Sequence, residues 1–254
     1  MNFYNEIDPK AAAWLRALIA DGHIADGIVD ERSIADINPH ELHDFKQCHW
    51  FAGIAGWSLA LRLAGVPDDF PVWTGSCPCQ PFSVGNVAHG GAKGTKDVRH
   101  LWPEFYRLIR KCQPPIVIGE QVANAIGKGW LDEVFGDLEG SNYACGAAVL
   151  PACAFNADHE RKRLYWIANA GSKGRKRHQP FQCVPVSNAE TFPIAGDYFT
   201  DARRALDGDF SHLRGSNGVS LQLERDALKG FGNAIVPQVA AEFIKAGFEA
   251  INEQ

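Results

Sequence analysis

Two cysteines in a short proline-containing segment, Gly75 to Ser83 (GSCPCQPFS), are the residues with the most distinctive chemistry. A thiolate is a strong nucleophile, and the flanking prolines stiffen the loop that carries it. The segment follows a stretch that predicts a buried strand, and open α/β sheets place active sites at the carboxyl ends of strands. Cys77 and Cys79 are therefore candidate nucleophiles, although both could be inert packing thiols. A zinc site would need a second cysteine pair at metal-ligand spacing, which the sequence lacks.

A carboxylate and two arginines are candidates for acid–base chemistry and anion binding. Glu120 follows PIVIG, which predicts a strand from Pro115 to Gly119. A carboxyl group at the end of an apolar strand is placed for a raised pKa and for proton donation, although it could also be an ordinary glutamate at a helix start. Arg161 and Arg163 would share one face of an extended segment and could hold a phosphate or a base together.

A glycine-bearing turn, Ala52 to Gly56, is a candidate ligand site of another kind. Its glycines let backbone N–H groups approach a ligand, and the helix predicted to start at Trp57 favours negative charge there. Turns of this type also serve only to pack a helix against a strand, so the turn alone is weak evidence.

Strands and helices alternate along the chain, which predicts an α/β fold with a parallel sheet. Asp8 and Pro9 predict the start of a helix that Gly22 ends. From Gly171 to about Ser220 the alternation stops, so this polar, irregular span is the predicted boundary of a second region. Further strands are predicted at Cys48–Phe51, Pro71–Thr74 and Arg163–Asn169, and further helices at Trp57–Ala64, Leu101–Lys111, Trp130–Leu138 and from Val239 onward.

The composition is that of a globular protein with reduced cysteines. A chain of 254 residues with 46% hydrophobic content can bury a large core. Seven cysteines are an odd number, which is atypical of a secreted disulfide framework. The apolar run from Cys48 to Leu61 is too short to span a bilayer, and the first residues lack the pattern of a signal peptide. We therefore expect a soluble cytoplasmic protein without membrane contact.

Charge is distributed unevenly along the chain. The net charge of −5 argues weakly against a polyanionic partner, but residues 158–178 carry seven bases and two acids. This basic cluster indicates a localised contact with a polyanion, and a solvated basic loop is the alternative.

Six blocks of the sequence, taken together, resemble the cytosine-C5 DNA methyltransferase family. The resemblance implies a doubly wound, Rossmann-like sheet that binds S-adenosylmethionine, with a small irregular target-recognition lobe. It implies a catalytic and cofactor-binding domain at residues 1–168, to which residues 222–254 return, and a recognition region at residues 169–221. The blocks are FAGIAG from Phe51, CPCQPFS from Cys77, DVRHLWPEFYRLI from Asp97, EQV from Glu120, HERKR from His159 and GNAIVPQVAAEF from Gly232.

The resemblance also implies a reaction. Cys79, at the family's Pro-Cys-Gln position, would add to C6 of a cytosine flipped out of a DNA duplex, while Glu120 protonates or hydrogen-bonds N3. C5 would then take the methyl group of S-adenosylmethionine, and Arg161 and Arg163 would hold the base. No metal is expected. DNA contacts are expected from Gln80, Ser83, Lys173, Arg175, Lys176 and Arg177.

The implied S-adenosylmethionine site draws on distant parts of the chain. Glu6 would bind the ribose hydroxyls and Ile7 would pack on the adenine ring. Asp30 would bind the adenine amine, with Asp36 as its rival. The other expected lining residues are Phe51, Gly53, Ile54, Gly56, Pro78, Asn233 and Val236.

The order of the blocks departs from the family pattern. A segment of the type Asn-Glu-x-Asp, a helix and an aspartate normally follow the glycine turn, whereas Asn5 to Asp8, a helix and Asp30 precede it here. We therefore predict a circular permutation, in which the second and third strands of the cofactor half come first in the chain. Two smaller departures are Ala55 at a usual glycine and Gln121 at a usual asparagine.

Three other functions stay open from the sequence. The substrate could be RNA, because related enzymes methylate tRNA on the same scaffold. A catalytically inactive cytosine-binding protein is less favoured, because Cys79, Glu120 and Arg161 are all present. A nucleotide-dependent oxidoreductase with Cys77 and Cys79 as redox thiols would leave HERKR and GNAIVPQ unexplained. The expected partner is double-stranded DNA, and we expect a monomer in a bacterial or virus-infected bacterial cell.

Overall fold

The computed structural model describes residues 1–78, 101–155, 160–170 and 234–252. The predicted nucleophile Cys79 and the predicted DNA contacts Gln80 and Ser83 lie outside the described residues. So do Asn233, residues 171–221 of the predicted recognition region, and its basic residues Lys173, Arg175, Lys176 and Arg177.

Seven strands of the described residues form one sheet in the spatial order β2-β1-β3-β4-β5-β7-β6. The first five strands are parallel, but β7 runs antiparallel to both β5 and β6. The prediction of a parallel sheet is therefore right for β1 to β5 and wrong for this edge, where β6 was not predicted at all. The strands are β1 Asn2–Asn5, β2 Gly27–Asp30, β3 Gln47–Trp50, β4 Val72–Gly75, β5 Ile116–Val122, β6 Tyr143–Leu150 and β7 Arg163–Ala170.

Residues 5–30, which we call the displaced N-terminal segment, come before the glycine turn in the chain. The order of the strands in the sheet is the one that the predicted circular permutation requires. In a doubly wound sheet the first strand lies at the centre, and the second and third extend outward from it. Here the central strand that leads into the glycine turn is β3, and its outward neighbours β1 and β2 precede it in the chain. The positions in the sheet are thus those of an ordinary doubly wound fold, reached in a permuted chain order.

Helices cover both faces of the sheet because consecutive strand residues point to opposite sides. Helices α2 and α5 pack on the face that carries Ile116 and Ile118, whereas α3 and α4 pack on the face that carries Val117. The helix α1 begins where Asp8 and Pro9 predict it, and the Asp8 carboxylate accepts a hydrogen bond from the Lys10 N–H. The helices are α1 Pro9–Ala20, α2 Gly56–Leu63, α3 Trp102–Cys112, α4 Trp130–Gly140 and α5 Pro237–Asn252.

In the described part of the chain, no helix has the length and apolar character that crossing a lipid bilayer would require.

A buried histidine on β3 links three strands of the sheet. The His49 ring is 1% exposed and stacks on Tyr4 of β1 with 4.8 Å between ring centroids. Its Nδ1 lies 2.8 Å from Thr74 Oγ1 on β4, and its Nε2 lies 3.3 Å from Gln47 Oε1. Burial lowers the pKa of His49 to about 3, so the folded protein keeps the ring neutral.

We expect this neutral histidine to make folding stability depend on pH. A histidine in the unfolded chain takes up a proton near pH 6.5, whereas His49 in the folded chain does not, so the unfolded state binds more protons between about pH 3 and 6.5. The free energy of unfolding therefore falls as pH drops through that window, by up to about 1.4 kcal/mol per pH unit from this one group. Urea titrations at pH 7.0, 6.0 and 5.0 should show a shallower pH dependence for His49→Gln than for the wild type.

The exposed His40 provides the matched control, because His40→Gln should reproduce the wild-type pH dependence. Equal slopes for His49→Gln and the wild type would contradict the assignment of a neutral buried ring.

Candidate active site

The candidate site lies at the edge of the sheet where the parallel strands end. Glu6 directly follows β1, Asp30 ends β2, and Phe51 begins the turn after β3. Ser76 follows β4, and Glu120 lies near the end of β5. Because the carboxyl ends of parallel strands meet at one edge, residues that are far apart in the sequence come together here.

The glycine turn is wound tightly into the start of α2. Phe51, Gly53 and Ala55 have φ angles of 53°, 56° and 70°, which is the left-handed region that non-glycine residues rarely adopt. Gly56 opens α2, and a Cβ there would lie 2.7 Å from the Ile235 side chain, so only glycine fits. The departure at Ala55 thus places an alanine in a left-handed conformation, at a cost of about 1–2 kcal/mol.

The Glu6 carboxylate connects the displaced N-terminal segment to this turn. It accepts one hydrogen bond from the Gly53 N–H (2.7 Å) and another from the Asp8 N–H (2.8 Å). The Ala52 N–H also donates to the Asn5 carbonyl (2.9 Å). Next to Glu6, the Ile7 side chain is 66% exposed, which is unusual for a large apolar residue and leaves it available to a ligand.

The two candidate aspartates differ in their surroundings. Asp30 forms a salt bridge with Arg32 (2.6 Å), and hydrogen bonds from the Arg32 side chain and backbone lower the pKa of its carboxyl group against the opposing effect of burial. Asp36 lies in a short 3-10 helix, Ile34–Asp36, and is exposed. Asp30 is the one that ends a strand next to β1.

Glu120 is held inside β5, and this corrects its predicted position at the strand end. The strand continues to Val122, and Glu120 pairs with Tyr165 of β7. The residue is 8% exposed, and its Oε1 lies 2.8 Å from Arg163 Nε. Burial raises the pKa of Glu120 in spite of the opposing attraction of Arg163 and Arg161. A carboxyl group in these surroundings can hold a proton and transfer it to a bound molecule.

Arg161 does not share an extended segment with Arg163 as predicted. Its φ of 27° is positive, and β7 begins only at Arg163. Its guanidinium donates a hydrogen bond to the Ala234 carbonyl (2.5 Å), next to Ile235, which packs on Gly56. Both arginines nevertheless favour the charged form of Glu120, and Arg163 is in direct contact with its carboxylate.

Cys77 is a packing thiol. It is 7% exposed within the core between the sheet and α3, and burial raises its pKa well above the usual range. Its carbonyl oxygen accepts a hydrogen bond from Gln121 Nε2 (3.3 Å), and Gln121 Oε1 accepts one from the Val122 N–H (2.9 Å). Gln121 thus fastens the segment before Pro78, the last described residue of this loop, to β5.

The remaining predicted cofactor residues lie around the same edge. Ile54 is half-buried within the glycine turn, and Val236 packs beside the core formed by α2 and α5. Two residues that sequence reasoning missed are Ser76 and Trp57, joined by a hydrogen bond from Trp57 Nε1 to Ser76 Oγ (3.0 Å). The position of Ser76, directly between a strand and the candidate cysteines, was the available signal. Among the described residues no cluster of three or more potential metal ligands occurs.

Comparison with known proteins points to one family. Residues 62–218, more than half of the chain, match the model of the C-5 cytosine-specific DNA methylase family. The chain is similar to the Type II methyltransferase M.AplI of Arthrospira platensis, with 35% identity over 43% of this chain and 30% of that protein. It is also similar to the Type II methyltransferase M.AluI of Cellulosimicrobium cellulans, with 30% identity over 42% of this chain and 22% of that protein. The matched regions therefore span less than a third of either relative.

Solved structures support the fold. The Dnmt2 methyltransferase of S. pombe matches with a TM-score of 0.51 and 13% identity, over 99% of both chains. A DNMT2 mutant of Spodoptera frugiperda matches with a TM-score of 0.50 and 10% identity, over 96% of this chain and 98% of that one. At such low identity these matches indicate a shared fold.

We expect the Gln121 amide to stabilise the protein measurably. Gln121→Met keeps the length of the side chain but removes both hydrogen bonds, and the buried Cys77 carbonyl then loses its donor. The free energy of unfolding should fall by about 1–3 kcal/mol in a urea titration. The matched control is Gln113→Met, because the Gln113 side-chain amide donates to the exposed Arg110 carbonyl. A Gln121→Met protein as stable as the wild type would contradict this stabilising role of the Gln121 amide.

Proposed function

This chain belongs to the C-5 cytosine-specific DNA methylase family, and on that premise we propose that it transfers a methyl group to C5 of cytosine in double-stranded DNA. The observation that carries the proposal is the buried Glu120 carboxyl, which forms an ion pair with Arg163 beside the segment that leads to Cys79. The family match covers residues 62–218 and so begins downstream of the displaced segment.

The residues at the strand edge fit S-adenosylmethionine as the methyl donor. A carboxylate follows β1, another ends β2, and a tight turn with left-handed residues follows β3. Carboxylates can accept hydrogen bonds from the hydroxyl and amine groups of an adenosine. The exposed Ile7 side chain offers an apolar surface to the adenine ring. S-adenosylmethionine supplies an electrophilic methyl group when it is bound.

We assign the cofactor contacts accordingly. Glu6 binds the ribose hydroxyls, and Asp30 rather than Asp36 binds the adenine amine, because Asp30 ends the strand next to β1. The turn contributes Phe51, Gly53, Ile54 and Gly56. The methionine end of the pocket is assigned to Phe51, Gly53 and Gly56. Pro78 is a further cofactor contact, and Asn233 and Val236 close the pocket.

In the proposed reaction, the chain activates a carbon that is too weak a nucleophile on its own. The Cys79 thiolate bonds to C6 of the cytosine, while Glu120 donates its proton or a hydrogen bond to N3, which makes C5 electron-rich. C5 accepts the methyl group, a base removes the C5 proton, and the C6–S bond breaks. The raised pKa of Glu120 supports this role, because a protonated carboxyl is needed at N3.

Arg161 and Arg163 are assigned to hold the base and its covalent adduct. Arg163 also orients Glu120 through their 2.8 Å ion pair. The base must leave the duplex stack to meet these groups, at a cost of a few kcal/mol. The assigned DNA contacts are Gln80 and Ser83 beside Cys79, and Lys173, Arg175, Lys176 and Arg177 in the proposed recognition region at residues 169–221.

Cys79, rather than Cys77, is proposed as the nucleophile. Cys77 is buried with a raised pKa, and a thiol in that state is a poor source of thiolate. Cys79 directly follows Pro78 and stands at the Pro-Cys-Gln position that the family resemblance assigns to the nucleophile.

The experiment is bisulfite sequencing of DNA from a host without cytosine methylation, expressing wild type, Cys79→Ala or Cys77→Ala. We expect protected cytosines in one short sequence context with the wild type and with Cys77→Ala. Protection should fall by a factor of at least about 10³ with Cys79→Ala, because the covalent step is lost. Thermal melts confirm that each variant is folded.

Two results would contradict the proposal. Protection that survives Cys79→Ala would remove Cys79 as the nucleophile. Protection found only in the RNA of the same cells, treated in parallel, would replace DNA by RNA as the substrate.

A further inference from the structure

A hydrogen-bonded chain of side chains runs from the start of α2 to Glu120. Trp57, the second residue of α2, is 4% exposed and donates from its indole Nε1 to Ser76 Oγ (3.0 Å). The Ser76 hydroxyl in turn bonds to the Glu120 carboxylate. The strand register explains this contact. Gly75 of β4 pairs with Gly119 of β5, and Ser76 and Glu120 are the residues that directly follow this pair.

The direction of these hydrogen bonds is fixed by the donor that begins the chain. An indole N–H can only donate, so Ser76 Oγ accepts from Trp57 and its own proton is free to point elsewhere. An ionised carboxylate can only accept, so the Ser76 proton is donated to Glu120 when Glu120 is charged. The indole is itself held in place by Tyr165, whose ring meets it edge-on at 6.3 Å and which is the β7 partner of Glu120.

We propose that Ser76, oriented by Trp57, is a positioning residue that sets how firmly Glu120 holds its proton. The inference deepens the proposed function and rests on the proposed role of Glu120. Without this hydroxyl, Glu120 would keep Arg163 and Arg161 as its charged neighbours and Tyr165 as its titratable one. Ser76 adds a neutral donor that favours the carboxylate without adding charge, and so brings the proton within reach of transfer.

The test is a titration of Glu120 by carbon-13 NMR on protein labelled at the glutamate carboxyl carbon, with Glu120→Gln used to assign the resonance. Ser76→Ala should move the titration midpoint upward by about one pH unit, because one hydrogen bond to the charged form is lost. Ser76→Thr keeps the hydroxyl and should stay close to the wild type. Trp57→Phe keeps the ring against Tyr165 but removes the N–H, and should move the midpoint in the same direction by less.

The matched control is Ser141→Ala, since Ser141 is also half-buried and bonded to an aromatic side chain, Tyr106, away from Glu120. Its midpoint should equal that of the wild type. An unchanged midpoint in both Ser76→Ala and Trp57→Phe overturns the proposal. If Ser76→Ala does not fold, the Glu120 titration midpoint of Trp57→Phe tests the proposal alone, and an unchanged midpoint overturns it.

A second readout uses the methylation rate as a function of pH. Loss of activity on the alkaline side should occur at higher pH in Ser76→Ala than in the wild type, because the carboxyl stays protonated longer. The NMR titration does not depend on turnover, so a wild-type protein that methylates neither DNA nor RNA would refute the proposed function while leaving the Ser76 test intact.

Discussion

The hydrogen bond from the Gly53 N–H to the Glu6 carboxylate is the contact on which the arrangement of the site depends. It joins Glu6, which follows the first strand, to a turn 47 positions later in the chain. Glu6 belongs to the displaced segment, so this bond connects that segment to the strand that leads into the glycine turn. Because Glu6 also accepts from the Asp8 N–H, one carboxylate fixes both the start of the first helix and the glycine turn. The displaced segment is thereby built into the same strand edge as the rest of the site.

A second constraint is the burial of Glu120 next to groups that favour its charged form. Arg163, Arg161 and Ser76 favour the carboxylate, while loss of water favours the acid, and burial is the larger effect. The same strand, β5, carries Gln121, whose amide holds the segment before Pro78. The acid and the approach to the proposed nucleophile are therefore positioned by adjacent residues of one strand.

Sequence reasoning predicted what local signals determine and missed what depends on distant contacts. Asp8, Pro9 and Gly22 fix the bounds of the first helix locally, and the structure confirms them. The strand Tyr143–Leu150 was missed because YACGAAVL is rich in glycine and alanine and has no alternating pattern, and its antiparallel pairing is set by β7. The left-handed Arg161 was equally invisible, because its conformation accompanies a bond to Ala234, 73 residues away.

Calorimetric titration of S-adenosylhomocysteine into the wild type, Glu6→Ala and Glu31→Ala tests the central claim most directly, namely that the displaced N-terminal segment completes the cofactor site. Glu31 is an exposed glutamate paired with Arg16 and provides the control for loss of one acidic side chain. The account predicts that Glu6→Ala raises the Kd by about 10- to 100-fold while Glu31→Ala leaves it near the wild-type value. A folded Glu6→Ala protein that binds with wild-type affinity would contradict it.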